Sequence, residues 1–205
     1  MPNENITIDV SSLNRISRDL SQFQEEIPGA VASSLNRTLD FMNTRIGKLV
    51  TAEYEIKVSD VKKTITKIRA RKGDMKAGLK STGNTLSFAH FKFTPKVPGT
   101  RKAVKVKIKK KDGFKEVRTQ RKPFIMSTGA QSADKIQFNV FKRIGDGRNR
   151  TNLAVLRTLS VPQMIQSVNV GNEIEKAATK KLEERVQHEI EYRLNKLRSR
   201  WYNDG

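Results

Sequence analysis

One segment of strict alternation constrains the fold of this chain more than any other. It runs from Arg101 to Lys111, and from position 104 onward it reads VKVKIK. Successive side chains of a strand point to opposite faces, so the pattern predicts a β-strand with one apolar and one cationic face. Because lysine is costly to bury unpaired, we expect the cationic face to meet solvent, a sheet edge or a negatively charged partner. The apolar face comprises Val104, Val106 and Ile108, and the cationic face Lys105, Lys107 and Lys109.

The positive charge of the chain is confined to its middle. The 205 residues include 41 Lys or Arg and 21 Asp or Glu, which gives a formal net charge of +20. Residues 62–150 hold 26 basic and 5 acidic side chains, so the two flanking regions together are close to neutral. Such asymmetry predicts contact with nucleic acid or with an acidic protein surface. The simpler interpretation, a solvated surface that keeps the protein soluble, stays open.

Composition also excludes several kinds of site. Cysteine is absent, which excludes disulfides and thiolate metal sites and favours a reducing compartment. The first twelve residues lack the basic and apolar regions of a secretory signal, so we expect no signal peptide. No apolar run approaches the roughly 20 residues that a membrane helix needs, so we expect no membrane partner.

Amphipathic helices are predicted at both ends of the chain. A first helix, capped at Ser11 or Ser12, carries apolar residues at spacings of three and four up to Ile27. Pro28 separates it from a second, long helix that ends at about Ala52. A third helix over 172–202 would be about 45 Å long, so its end should be exposed or covered by a neighbour. Its apolar stripe includes Ile174, Ala178, Leu182, Val186, Ile190, Leu194, Leu197 and Trp201.

Turn and strand signals between these helices predict an antiparallel sheet of about five or six strands. Asp112-Gly113 is a hairpin signal, because these residues tolerate the positive φ of tight turns. The expected strands are the aromatic segment 86–93, the lysine strand 104–109, and the segments 114–117, 124–126 and 136–141, with a further short strand at 6–10.

Shorter elements complete the predicted organisation. Ser59 is a plausible N-cap of a short helix that carries Val61 and Ile65. Ser160-Val161-Pro162 predicts an N-cap followed by proline in a first helical turn, in a helix that Gly171 ends. The chain is thus expected to be one α+β domain, 1–205. Its parts are a helical region 11–66, a basic β-rich region 67–145 that ends in a flexible basic loop at 145–150, a short helix 160–169 and a long helix 172–202.

Residues that could support catalysis are few. His90 and His188 are the only histidines, and neither has a partner at metal-ligand spacing. Three of the five acids in the basic region fall in turns, where Asp is ordinary turn chemistry. The clustered carboxylates of a two-metal site are not suggested by any spacing. We therefore expect no enzymatic activity, no metal and no cofactor.

The chain has the positive charge that nucleic-acid binding requires, but its sequence contains no recognisable nucleic-acid-binding module. Phe91 and Phe93 share one strand face, so they are better explained as core residues than as a base-stacking platform. The candidate surface for DNA or an acidic partner comprises the exposed cations of the basic region. These are Lys102, Lys105, Lys107, Lys109, Lys110, Lys111, Arg148 and Arg150.

Six segments in a fixed order resemble the minor tail protein Z family of tailed bacteriophages and prophages. Together they span roughly residues 8 to 200. The most specific is Ser160-Val161-Pro162-Gln163-Met164, which precedes the final helix. The lysine-rich, proline-poor middle departs from relatives that use more arginine and proline. The other segments are Ala32–Thr38 with its Leu35-Asn36-Arg37 core, Tyr54–Ile65, Phe91–Pro95, Phe124–Met126 and Val140–Arg143.

The resemblance implies a non-enzymatic structural protein of the virion. Members of this family act as tail completion or neck proteins at the head-proximal end of the tail, where head and tail join. It further implies a homo-oligomeric ring around the DNA channel, most naturally a hexamer, made in the host cytoplasm and located in the virion. Neighbours would be the tail terminator, the head-tail adaptor and the tail tube, with channel DNA as a further contact. The alternative is a nucleic-acid-binding protein that contacts phosphates through residues 62–150.

The apolar stripes of the long helices are candidates for subunit contacts in such a ring, because a contact repeated by rotation closes on itself. The residues proposed for an interface, or as carriers of the family motifs, are Leu35, Asn36, Arg37, Ser160, Val161, Pro162, Gln163, Met164, Leu194, Leu197 and Trp201.

Overall fold

The computed structural model describes residues 6, 8–129, 138–144 and 152–203, with side chains up to residue 199. Three features predicted above lie outside this description: Ile136 of the last expected strand, the basic loop 145–150 and the Trp201 side chain. The described residues form an α+β structure with a long C-terminal helix, which confirms the predicted fold class.

Long helices occupy the two ends of the described chain, as predicted. Pro28 lies in the first turn of the second helix, where the missing N–H costs no hydrogen bond. That helix has 27 residues and the last has 36, so they are about 40 and 54 Å long. The helices are α1 Leu13–Asp19, α2 Ile27–Glu53, α3 Val58–Lys62, α4 Val161–Ile165 and α5 Val168–Asn203, with 3-10 turns at Gln24–Glu26 and Phe88–His90.

Helices α1, α2 and α5 pack together as a bundle in which α2 and α5 are antiparallel. Residues early in α2 meet residues late in α5, and Ser33 contacts Glu189 while Phe41 contacts Lys181. The stripes predicted from spacings of three and four supply the buried side chains between the helices. These are Ile16, Leu20, Ala30, Val31, Leu182, Val186 and Ile190.

A buried ionic cluster joins α2 to α5 within this bundle. Glu189 is only 4 % exposed and accepts a hydrogen bond of 2.6 Å from the Ser33 hydroxyl. Arg37 Nε and Arg193 Nη2 lie 3.6 and 3.7 Å from its carboxylate oxygens, and Arg193 also pairs with Glu26. A buried carboxylate is tolerated when it is paired in this way, so the cluster specifies how the two helices align.

The strands of the described residues form three small antiparallel sheets, so their number and their division among sheets differ from the expected single sheet of about five or six strands. The first sheet pairs β1 with β2, the second has the order β3-β4-β5, and the third has the order β6-β7-β8. Gly113, at φ 69°, lies in the turn between β4 and β5, as the Asp-Gly signal predicts. The strands are β1 Ile65–Ile68, β2 Gly78–Ser81, β3 Lys92–Thr94, β4 Lys105–Lys107, β5 Lys115–Glu116, β6 Phe124–Ser127, β7 Phe138–Arg143 and β8 Leu153–Val155.

Three of these strands were not predicted. Strand β1 is mostly exposed and β2 is mostly half-buried, and neither sequence alternates between apolar and polar residues. Strand β8 is only three residues long. In contrast, residue 6 and residues 8–10 have no regular secondary structure, and the aromatic segment 86–93 is mostly a 3-10 turn that leads into β3.

The first predicted helix is shorter than expected. Helix α1 ends at Asp19, and the 3-10 turn Gln24–Glu26 follows it, whereas the predicted helix continued to Ile27.

Further helix boundaries differ from the expectation. Helix α3 begins at Val58 after Lys57, so Ser59 lies inside it and does not cap it. Ile65 belongs to β1 and not to that helix. Gly171, expected to end the short helix, lies inside α5 because α5 already begins at Val168. Packing of the helix outweighs the modest propensity cost of one glycine.

The main core lies where the second half of α2 and the first part of α5 meet α4 and the sheets. Phe91, Phe93, Val104 and Val106 are buried in it, which confirms the predicted inward faces of these segments. Other members are Met42, Ile46, Val50, Tyr54, Ile56, Val61, Ile125, Val140, Leu156, Val161, Met164, Ile165, Val170, Ile174 and Ala178.

The chain that leaves α2 is tied to the second sheet by backbone pairing. Tyr54 forms an antiparallel bridge with Lys109 just beyond β4. The amide of Glu55 donates to the carbonyl of Ile108, and the amide of Lys110 donates to the carbonyl of Glu53, both at 2.8 Å. The carboxylates that follow α2 are thereby placed beside the lysines of β4.

Candidate anion-binding surface

The lysine strand has the two faces that its alternation predicts. Val104 and Val106 are buried and Ile108 is half-buried. On the other face Lys105 is exposed, whereas Lys107 and Lys109 are half-buried. The three lysines therefore have different environments, and the reason is which carboxylates approach them.

Glu55 is shared by two lysines that face each other across β3 and β4. Lys92 and Lys107 are direct cross-strand partners, an arrangement that is destabilising for like charges. The Glu55 carboxylate lies 2.8 Å from Lys92 Nζ and 3.5 Å from Lys107 Nζ. The hydrogen bond from Lys92 is the main reason that the pKa of Glu55 is lowered. One carboxylate from the segment after α2 thus lies close to both ammonium groups and offsets part of the repulsion between them.

Lys109 is held in the same way beside the end of α2. Its ammonium lies 3.4 Å from the Glu53 carboxylate and 5.6 Å from the centre of the Tyr54 ring. The pKa of Lys109 is raised, first by its electrostatic interaction with Tyr54 and then by Glu53. Lys107 and Lys109, expected to meet solvent, DNA or an acidic neighbour, are therefore paired inside the chain.

The remaining predicted cations of the described residues are exposed. Lys105 is exposed and has Glu116 opposite it on β5. Lys110 and Lys111 are exposed in the turn that follows β4, and Lys102 is exposed before its start. Arg148 and Arg150 lie outside the described residues.

A groove that sequence reasoning missed lies between the second and third sheets. It has a volume of about 400 Å³. One wall is the segment 95–104 that precedes β4, and the other is the segment 122–125 that begins β6. Its lining residues are Pro95, Val97, Gly99, Thr100, Arg101, Lys102, Val104, Lys122, Pro123, Phe124 and Ile125.

The two walls of this groove are joined by a polar contact and flanked by cations. Lys122 Nζ donates to the carbonyl oxygen of Arg101 at 3.2 Å. Arg143 lies 5.5 Å from the centre of the Phe124 ring, which also stacks on Phe141. The only sequence signals for the groove are prolines next to basic residues, and these lie more than 20 positions apart, so their proximity could not be read from the sequence.

The Leu35-Asn36-Arg37 motif stabilises the fold from inside the chain. Leu35 packs against the core of the bundle, and Arg37 pairs with Glu189. Asn36 bonds both backbone groups of Ala70: its amide donates to the carbonyl at 2.9 Å, and its carbonyl accepts from the N–H at 3.0 Å. This pair of bonds fixes the β1–β2 hairpin to α2.

The Ser160–Met164 motif caps α4 and anchors it in the core. The Ser160 hydroxyl accepts from the Gln163 amide at 3.3 Å, and the Gln163 side chain accepts from the Ser160 amide at 2.9 Å. This is a complete capping box, as the predicted N-cap at Ser160 suggests. Pro162 lies in the first turn, and Val161 and Met164 are buried, so these two are not available to a partner subunit.

The C-terminal candidates lie along the far end of α5. Leu194 packs at the edge of the bundle core, and Leu197 is half-buried. Arg193 pairs with Glu26 just before α2 begins. Because α2 starts at Ile27, the part of α5 beyond residue 194 extends past the start of its partner helix.

His90 has a hydrogen-bond partner that could not be predicted from the sequence. Its Nδ1 lies 3.1 Å from the Asp60 carboxylate, which α3 positions. Among the described residues there is no group of three or more His, Cys, Asp or Glu side chains that could hold a metal ion. Within those same residues, no helix combines the length and apolarity needed to cross a membrane.

Comparison of the chain with protein-family models, with curated proteins and with solved structures found no match. Function is therefore inferred from the residues and their geometry.

Proposed function

We propose that this chain is a structural virion protein of a phage tail, a completion or neck component that joins head and tail around the DNA channel. It acts at the head-proximal end of the tail and catalyses no reaction. The proposal includes assembly into a homo-oligomeric ring, a hexamer, that contacts the neighbouring tail and head-adaptor proteins.

The observation that carries the proposal is the ordered series of six segments that resemble the minor tail protein Z family. Residues in several of these segments have a clear physical role in the fold. Asn36 fixes the β1–β2 hairpin, and Ser160 with Gln163 caps α4. Phe93 and Val140 lie in the main core. Residues with such roles are those that a shared fold would retain, which supports the resemblance.

The arrangement of α5 supports a ring contact. This helix is longer than its partner α2, and its last residues lie beyond the start of α2. Leu197 is in that part, and the sequence places Trp201 one turn further on. A helix end with a continuing apolar stripe is suited to pack against a neighbouring subunit.

Deletion of the reading frame from a phage or prophage that encodes this chain tests the proposal. We expect filled heads and separate tails in electron micrographs, because the junction between them is incomplete. Expression of the chain from a plasmid should restore joined particles. Joined, infectious particles that assemble without the chain would contradict the proposal.

A second test addresses the ring itself. The mass of the purified chain, measured alone and with tail-tube or head-adaptor proteins, should correspond to a closed oligomer. The variant Leu197→Asp should reduce the fraction of the chain that is assembled. Glu191→Asp, an exposed position on the same helix, is the control. A chain that remains a monomer with every partner would contradict ring assembly.

The alternative, a nucleic-acid-binding protein, has support from the exposed cations of the β-rich region. Arg71, Lys72, Lys76 and Lys80 follow one another on the β1–β2 hairpin with Asp74 as the only acid between them. If the isolated protein binds duplex DNA through phosphates, log K should fall with log salt at a slope of about −0.9 per contact. Such a slope would favour this alternative, and its absence would remove it.

A further inference from the structure

The groove between the second and third sheets combines an apolar interior with a cationic rim. The accessible apolar surface of its walls comes from Val97, which is 57 % exposed, and from Pro95, which is half-buried. Phe124, also half-buried, extends that surface at the start of β6, whereas Val104 and Ile125 are already buried by the fold. Apolar side chains that line a concavity gain free energy when a partner removes them from water.

The cations at the rim differ from Lys107 and Lys109 of the lysine strand, because no carboxylate of the described residues pairs with them. Arg101 and Lys102 are exposed, and Lys122 donates to the carbonyl of Arg101. In contrast, Lys92 and Lys107 share the Glu55 carboxylate. Among the described residues, the cations of the groove rim therefore have no paired carboxylate, and a negatively charged ligand would complement them.

The shape of the groove favours an extended peptide over DNA. Phosphates require cations but no apolar floor, and the convex backbone of a duplex would leave the groove interior unfilled. A base could not readily stack on Phe124, because its ring already packs on Phe141 and Arg143. In the described residues β6 is an edge strand of its sheet, and edge strands can accept an extended segment.

We infer that this groove binds an extended segment of a partner protein in which carboxylates alternate with apolar side chains. The apolar side chains enter the groove, and the carboxylates meet Arg101, Lys102 and Lys122 at its rim. The inference rests on the groove alone, so it holds or fails independently of the role in a phage tail.

Fluorescence anisotropy with synthetic peptides and the full chain tests this inference. The probe is a labelled peptide of alternating Glu and Val, and a peptide of alternating Glu and Ser has the same charge without apolar side chains. We expect the Glu-Val peptide to bind more tightly. The double variant Arg101→Glu, Lys102→Glu should weaken its binding by about tenfold, because two rim contacts become repulsive.

The matched control is Lys110→Glu with Lys111→Glu. These lysines are also exposed and adjacent, and the change in net charge is identical, but they lie at the opposite end of β4. Binding by this variant should stay close to that of the unmodified chain. Circular dichroism of both variants checks that the fold is retained.

Three results would overturn the inference. One is that both double variants weaken binding of the Glu-Val peptide equally, which would show a general attraction between opposite charges. Another is failure of the Glu-Val peptide to bind, or to exceed the Glu-Ser peptide. The third is duplex DNA binding that only the Arg101, Lys102 variant abolishes, which would assign the groove to nucleic acid.

Discussion

The helical bundle and the β-rich region differ in how their charged side chains are neutralised. In the bundle, Glu189 of α5 pairs with Arg37 of α2 and with Arg193 of α5. Glu26, which directly precedes α2, also pairs with Arg193. The β-rich region has few acids, and most of its paired cations depend on α2 or the segment that follows it. Asp40, Glu53 and Glu55 pair there with Lys67, Arg69, Lys92, Lys107 and Lys109.

This difference shows that charge counted along a sequence is not the charge of a surface. The lysine strand has the highest density of cations, but Glu55 and Glu53 neutralise two of its three outward lysines. The three cations of the groove rim are less regular in sequence, and no described carboxylate pairs with them. Among the described residues, unpaired charge thus lies at the groove rim as well as on Lys105.

The largest effect on stability should come from the apolar core of the bundle. Leu182 is 2 % exposed between the helices, so Leu182→Ala should reduce the free energy of unfolding by about 2–5 kcal/mol. Val168→Ala on the same helix is the control, because Val168 is 75 % exposed and should change it by less than about 0.5 kcal/mol. Urea denaturation measures both, and equal effects would contradict the assigned core.

The connection between the two regions should be the next most sensitive. Asn36→Ala removes both side-chain bonds to Ala70 and should cost about 1–3 kcal/mol. Hydrogen exchange should quicken in the hairpin 65–81 more than in the bundle. Asn43→Ala is the matched control, since Asn43 lies on the same helix without a side-chain hydrogen bond in the structure. Similar exchange in both variants would argue against this connection.

Loss of the carboxylate between β3 and β4 should have a smaller effect. Glu55→Gln leaves Lys92 and Lys107 facing each other and should reduce stability at neutral pH by up to about 1 kcal/mol, since one partner is solvent-exposed. The exposed Glu25→Gln is the charge-matched control. Added salt should narrow the difference between the two variants, because it screens the repulsion.

The pH dependence of that difference has a definite sign. The folded-state pKa of Glu55 lies below its ordinary value of 4.5, so its contribution is complete above that pH. It is lost as pH falls through the lower folded-state value. Stability of the unmodified chain should therefore converge on that of Glu55→Gln in acid. A gap that widens as pH falls would show that the carboxylate is not stabilised by Lys92.

The smallest effect is expected at Lys105. This lysine is exposed and forms no ion pair with a described carboxylate, so Lys105→Gln should change stability by less than about 0.5 kcal/mol. Lys107→Gln should cost more, because it removes one partner of Glu55. Chemical denaturation of the two variants compares them directly, and the reverse order would refute the different roles assigned to neighbouring lysines.

Much of the fold was accessible from local patterns. Spacings of three and four predicted α2 and α5, and alternation predicted β4 with its buried Val104 and Val106. Where such patterns are absent, prediction failed: the sequences of β1 and β2 do not alternate, and Gly171 continues a helix that tertiary packing stabilises.

The candidate site was less accessible than the fold. The exposed positions of Lys102, Lys110 and Lys111 agree with the sequence analysis, whereas the pairing of Lys107 and Lys109 does not. The groove was missed because its two walls are separated in sequence. Ion pairs and concavities depend on which distant segments meet, and no local spacing encodes that.

The sequence by itself determined where apolar faces, helix caps and cationic residues lie, because these depend on neighbours within a few positions. Only the tertiary structure decided that the described strands form three sheets, that the segment after α2 supplies a carboxylate to β3 and β4, and that 95–104 meets 122–125 in a groove. The physical reason is that electrostatic pairing and concave shape arise from long-range packing, which brings together residues far apart in the chain.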